Sequence, residues 1–262
     1  MTGTDALPGT LRAETVGAVA VLTLARPAKR NALSDETMAG IERFFRTLDP
    51  AVRAVVLDAE GDHFCAGLDL AEMTERDTMA GVAHSRMWHR IFDVVESGVI
   101  PVIAVLKGAV VGGGLELAAA AHLRVAESST FYALPEGQRG LFVGGGGSVR
   151  VPRLIGVSRM VDMMLTGRRY GAEDGAAIGL SHYLVPDGTG RAKALELAER
   201  VAANAPQTNF AVLSVLPAIA QSNPREGLLM ESLMAAIAQG TDDAKSRMGD
   251  FLGGRAGKVT DG

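Results

Sequence analysis

The chain has 262 residues, of which 47% are hydrophobic and 21% charged, and carries a formal net charge of −4. That balance is globular, sized for one large domain or one domain with an appendage, and its sign argues against nucleic-acid or anionic-membrane binding, which favours a basic patch. A single cysteine, Cys65, excludes an intrachain disulfide, and no apolar run reaches membrane-spanning length. Met1–Leu11 has neither the basic nor the apolar part of a signal peptide, so a cytoplasmic protein is expected.

In chain order, β-branched apolar runs bounded by turn residues predict strands over Ala18–Leu24, Val52–Leu57, Pro101–Leu106 and His122–Ala126. Between the first two, Ser34 reads as a helix N-cap followed by Asp35 and Glu36. Met38, Ile41, Phe44, Phe45 and Leu48 then fall at helical spacing. A second helix is predicted over His84–Glu96. Strand–helix alternation predicts an α/β fold, and the uneven spacing of the strands gives no fixed-period repeat. Helices over Arg191–Ala203 and Gly227–Gln239 follow, with no strong strand signal after residue 186. The expected division is therefore a core over 1–190 and a helical region over 191–262. The apolar faces of that region are broader than a lone surface helix needs, which points to a subunit interface. Thr241 with Asp242 and Asp243 starts a last helix that carries Met248, Phe251 and Leu252 on one side.

The 32 glycines cluster at 112–114 and 144–147. Gly112-Gly113-Gly114 precedes an Ala-rich helix, and a glycine run opening a helix leaves backbone N–H groups bare and aimed outward. Dinucleotide and P-loop patterns are absent. Glu116 lies in the first turn of that helix. It reads either as a solvated glutamate complementing the helix dipole or as a buried carboxyl with a task. Glu136 follows a second turn at Pro135. Two carboxyls beside an anion-binding turn make an acid/base pair suited to chemistry on a carbonyl compound. At Gly144–Gly147 the plain reading is a helix start capped by Ser148. In His63-Phe64-Cys65-Ala66-Gly67-Leu68-Asp69-Leu70, the small Ala66 and Gly67 would admit a ligand close to the backbone, although a plain strand-to-helix turn explains this segment alone. His84, Trp88 and His89 share one helix, but the histidines are five apart, off the spacing of a metal pair, so pocket-lining or structural roles are expected and no metal. Cys65 reads as a small buried residue rather than a nucleophile.

Taken together, Arg26-Pro27-Ala28-Lys29-Arg30-Asn31-Ala32-Leu33, Phe64–Leu70, the block Gly112–Leu117, Pro135-Glu136, Leu165-Thr166-Gly167 and Asp250-Phe251-Leu252 resemble the crotonase, or enoyl-CoA hydratase/isomerase, superfamily over nearly the whole chain. The resemblance implies a spiral of β-β-α units, a C-terminal helical trimerisation region, and a homotrimer or dimer of trimers. It also implies an acyl-CoA thioester as substrate, with coenzyme A belonging to the substrate and no separate cofactor. Carried over residue by residue, Ala66 and Gly113 would donate the two oxyanion-hole N–H groups. Glu116 and Glu136 would be the catalytic pair, and Gly144 would orient the water. Ala28, Lys29, Arg30, Ala66, Gly67, Leu68 and Asp69 would line the coenzyme A site, joined by Phe251. Both glutamates are present, which points to hydration of a 2-enoyl-CoA. The alternatives are a double-bond isomerase with Glu136 as base and a non-catalytic module binding acyl-CoA or RNA. The chain departs from the family pattern at three places. His122 stands where relatives usually carry Asp, Arg139 lies in a segment usually more aliphatic, and Ala71 replaces a frequent lysine.

Overall fold

The computed structural model describes residues 7–69, 71 and 77–255. Leu70, part of the motif read above, lies outside the described residues. Strands β1 (Leu11–Val16) and β2 (Val19–Leu24) form an antiparallel hairpin through Gly17, whose positive φ of 59° suits a tight turn. After β2 the chain runs through α1 (Asp35–Arg46) to β3 (Ala54–Ala59) and then α2 (Thr78–Glu96). Strands β4 (Val102–Leu106) and β5 (Ala109–Val111) lead into α3 (Gly113–Ala120), followed by β6 (Leu123–Glu127) and β7 (Phe131–Ala133). Helices α4 (Gly147–Ile155) and α5 (Val157–Thr166), strand β8 (Tyr170–Gly171), helix α6 (Ala172–Ile178), strand β9 (Tyr183–Val185) and helix α7 (Gly190–Ala202) complete this part.

The larger sheet has the order β1-β2-β3-β4-β6-β9, parallel from β2 onward, and the smaller has the order β5-β7-β8. The chain therefore winds as a spiral, from a strand in the large sheet to one in the small sheet to a helix. Single parallel bridges, Cys65 to Val110 and Leu33 to Leu68, show the same excursion after β3 and β2. Strands β3 and β4 are buried along their whole length, as parallel strands covered on both faces must be.

Ser34 caps α1, its side chain accepting the Thr37 N–H at 3.2 Å, and Met38, Ile41 and Phe44 form the buried face. Helix α2 starts two turns before His84, capped by Asp77. Its first turns carry the exposed Met79 and Val82, so no apolar periodicity marks them. Its last turns bury Trp88, Ile91, Phe92 and Val95. His122 follows α3. Its Nδ1 accepts the Val102 N–H at 3.0 Å and its Nε2 lies 3.0 Å from the Glu96 carbonyl. One neutral tautomer satisfies both, and burial holds the ring's pKa below its ordinary value.

Helix α7 lays Ala194, Leu197 and Ala198 against Val21, Val56, Ile103 and Val105 of the large sheet. It thus belongs to the first compact unit, which ends at Ala202, and the boundary expected at residue 190 comes one helix early. The second unit, from Ala203, is helical: α8 (Pro206–Phe210), a π-helical turn (Ala211–Val215), α9 (Leu216–Gln221), α10 (Pro224–Gly240) and α11 (Asp242–Leu252). Leu228, Leu229, Leu233 and Ile237 of α10 are all more than half exposed. Thr241 caps α11, accepting the Ala244 N–H at 3.2 Å. Among the described residues no helix is long and apolar enough to cross a membrane.

Candidate active site

The site is assembled where the small sheet feeds α3. Gly112, at φ 53°, breaks the strand and donates its N–H to the Ala133 carbonyl at 3.0 Å. All eight residues of α3 are buried. As the first helical residue, Gly113 has no intrahelical partner for its N–H, and none of the described residues accepts it. The facing segment is pinned to β5 by the Cys65 N–H on the Ala109 carbonyl and the Val111 N–H on the Cys65 carbonyl. Gly67 then turns the chain at φ 97°. A β-carbon there would stand 2.9 Å from the Val111 carbonyl oxygen and 3.3 Å from the Gly113 nitrogen, so only glycine fits. The turn delivers the next amide, that of Leu68, beside Gly113: a β-carbon on Gly113 would lie 3.5 Å from the Leu68 nitrogen. The Leu68 N–H likewise has no acceptor among the described residues. Ala66, the expected donor, is corrected by the structure, because its N–H is taken by the Arg30 carbonyl at 2.9 Å. The pair of free donors is Leu68 and Gly113.

Glu116 is buried, 3% exposed, which decides between its two sequence readings. Its Oε1 accepts the N–H groups of Gly145 and Gly147, each at 2.8 Å. Burial pushes its pKa above the ordinary value, while these two donors and the Arg150 guanidinium oppose the shift. The donors sit in a loop held on every side. The Gly145 carbonyl accepts from Arg150 at 3.1 Å, Arg150 is paired with Glu96 at 2.6 Å, and the Gly144 carbonyl accepts the Ser85 hydroxyl at 2.6 Å. Helix α4 is capped by Gly146 with no side-chain bond, so Ser148 is not the cap. The glycines instead let the loop close on Glu116, since a β-carbon on Gly147 would lie 2.8 Å from its Cγ.

Glu136 follows β7 and starts the short turn Gly137–Arg139. Its Oε2 is buried with no hydrogen-bond partner among the described residues. Burial, with a smaller push from Glu116, raises its pKa to about 7, against its own backbone N–H and Arg139. Both carboxyls and the glycine amides line one cavity of about 730 Å³, which also takes in Trp88, Val143 and Gly144.

Of the residues expected to hold coenzyme A, Lys29, Ala66, Gly67, Leu68 and Asp69 line this cavity. Ala28 and Arg30 are exposed on the adjoining turn, and Arg30 and Asn31 adopt left-handed backbone, φ 49° and 54°. Asn31 fixes that turn by donating to the Glu60 and His63 carbonyls at 2.9 and 2.8 Å. Asp69 accepts the Ala71 N–H at 3.0 Å and pairs with Arg26 at 2.6 Å, contacts that hold its pKa below the usual carboxylate range. Its carboxylate thus braces the loop. Phe251 is on α11 in the second unit and is exposed. Cys65 is buried, its thiol pushed up to about 12 by burial, which suits packing rather than nucleophilic chemistry. Arg139 lies on the cavity wall, as do His84 and Trp88.

A β-β-α spiral in which two bare amides, one buried carboxyl and one half-buried carboxyl share a cavity defines a crotonase-fold protein. The family model for enoyl-CoA hydratase/isomerase matches residues 14–259. The enoyl-CoA hydratase EchA19 of Mycobacterium tuberculosis is 32% identical over 97% of this chain and 96% of its own. The short-chain-enoyl-CoA hydratase of Clostridium acetobutylicum is 30% identical over 91% and 93%. The crystal structure of a proposed enoyl-CoA hydratase from Rhodopseudomonas palustris matches with a TM-score of 0.92 at 59% identity, covering 94% of this chain and 95% of that one. The chain belongs to the enoyl-CoA hydratase/isomerase family, and its relatives mark its function as hydratase-like.

Proposed function

We propose that the chain adds water across the 2,3 double bond of an enoyl-CoA thioester. One observation carries this reading: a carboxylate gripped by two backbone N–H groups and a bare carboxyl with a pKa near neutrality share one cavity. The Leu68 and Gly113 N–H groups would hold the thioester oxygen, on which negative charge builds as hydroxide adds to Cβ. Such a donor is typically worth ~3 kcal/mol in the transition state. The Glu116 carboxylate, steadied by the Gly145 and Gly147 amides, takes a proton from the water. Glu136, protonated at and below neutrality, gives its proton to Cα. A proton passing from Glu116 to Glu136 restores both groups, and the same steps reversed dehydrate the product. Gly144, whose carbonyl is fixed by Ser85, would help place the water. Lys29 would meet the coenzyme A phosphates, and Phe251 of a neighbouring copy would cover that moiety in a trimer or dimer of trimers.

A second reading, double-bond migration with Glu136 alone moving the proton, is favoured by its unpartnered Oε2. Mass spectrometry of the product from a panel of 2-enoyl-CoA esters separates the two. Hydration gives a 3-hydroxyacyl-CoA heavier by one water. A product of unchanged mass with a shifted double bond would overturn the proposal.

A further inference from the structure

The cavity wall holds a histidine that the hydration chemistry does not use. Gly81, His84, Ser85 and Trp88 line the cavity at helical spacing along one face of α2. Trp88 marks the level of the oxyanion donors, for its ring edge would lie 2.9 Å from a β-carbon on Gly113. Ser85, nearly one turn earlier, is bonded to Gly144 beside the carboxyl pair. His84 is on that same turn, about 5–6 Å along the axis from Trp88. Its Nε2 lies 2.8 Å from Oδ1 of Asp35 on α1. Beyond it, a β-carbon on Gly81 would meet nothing within 4 Å, so the wall opens there. The lining also includes the apolar Leu141, Phe142 and Val143, the charged Arg139, and Trp88, whose buried Nε1 has no partner among the described residues.

An ionised carboxylate can only accept, so it is Nε2 that donates to Asp35. The other nitrogen, Nδ1, has no partner among the described residues. A ring nitrogen held in one orientation fixes the pose of a ligand that hydrogen-bonds to it, and a hydroxyl, which both donates and accepts, can do so. We propose that His84, held by Asp35, reads a hydroxyl group on the acyl chain, making the preferred substrate a hydroxyl-bearing enoyl-CoA rather than a plain fatty one. This rests on the hydration reading above. Asp35 acts through the ring as a positioning residue.

The test compares kcat/KM for three six-carbon 2-enoyl-CoA esters, one unsubstituted, one with a terminal hydroxyl and one with a terminal carboxylate. A neutral hydrogen bond predicts a preference of about 3- to 10-fold for the hydroxyl ester over the unsubstituted one. In His84→Leu that ratio falls to about one. Asp35→Asn, which leaves the ring in place but frees its tautomer, also lowers the ratio, through KM more than kcat. Equal rates for hydroxylated and plain esters in the unaltered protein would overturn the inference. So would preference for the carboxylate ester, which would assign the reading to Arg139, or an equal loss on all esters in His84→Leu, which would place the ring against coenzyme A. If no ester gains water at all, it is the hydration reading that fails.

Discussion

Replacing Glu136 by Gln separates what this carboxyl does for the reaction from what it costs the fold. Its pKa stands at about 7 instead of 4.5, mainly because burial disfavours the charge. The folded chain therefore binds this proton more tightly than the unfolded chain, and stability falls as pH rises from about 4.5 to about 7, then levels. The whole difference corresponds to about 3 kcal/mol, following ~1.4 kcal/mol for each pH decade between the two values. Glu136→Gln has no charge to bury, so its stability relative to the unaltered protein should grow over that window by up to about 3 kcal/mol, or roughly 6–12 °C in Tm. Buried amide and protonated carboxyl are similar in polarity, so at about pH 4.5 and below the two proteins should differ little. Denaturant titrations at several pH values would follow the trend, and hydration assays on the same samples should show a loss of about 10²- to 10⁴-fold. A stability difference that does not change with pH would refute the buried-charge argument. Wild-type turnover by the Gln variant would refute the catalytic one.

With unaltered protein, the hydration rate should fall as pH rises through about 7, as Glu136 loses the proton it must give; a flat profile to pH 9 would contradict that. Glu116→Gln can still accept the Gly145 and Gly147 N–H groups through its amide oxygen, so it should fold normally and lose about 10²- to 10⁴-fold in turnover, checked by melting curves beside initial rates. Ser85→Ala removes the bond that fixes the Gly144 carbonyl and should lower kcat by about 3- to 10-fold with little change in KM. Ala66→Pro breaks the bond to the Arg30 carbonyl; denaturant titration should show a loss of about 1 kcal/mol or more, which marks this amide as structural.

Much of this was legible in the sequence because it depends on local chemistry. Ser34 and Thr241 announced helix starts, and both caps are made. The triple glycine ahead of an Ala-rich stretch announced a helix with bare amides. The second free amide lies two residues beyond Ala66, at Leu68. Glycine at 67 signals a turn, but only the backbone path shows which neighbouring amide faces inward. Ala66 uses its N–H on Arg30, thirty-six positions earlier, a pairing that sequence spacing does not reveal. The donors to Glu116 were hidden for the same reason. Gly145 and Gly147 approach it from another turn of the spiral, and glycine carries no side-chain signature of the bond its backbone makes. The short strands β5, β7 and β8 leave no mark in the sequence, because two or three residues carry no alternation. Helix α7 has the composition of any amphipathic helix, and only packing shows that Leu197 rests on the sheet.

The central claim is that the two glutamates add one water to Cβ of an enoyl-CoA. The direct measurement is turnover in oxygen-18 water, with mass spectrometry locating the label, for the unaltered protein and for Glu116→Gln/Glu136→Gln. The account predicts one solvent oxygen at Cβ of a 3-hydroxyacyl-CoA from the unaltered protein and at least a hundredfold less from a folded double variant. An unlabelled product from the unaltered protein, or equal labelling by the double variant, would contradict it.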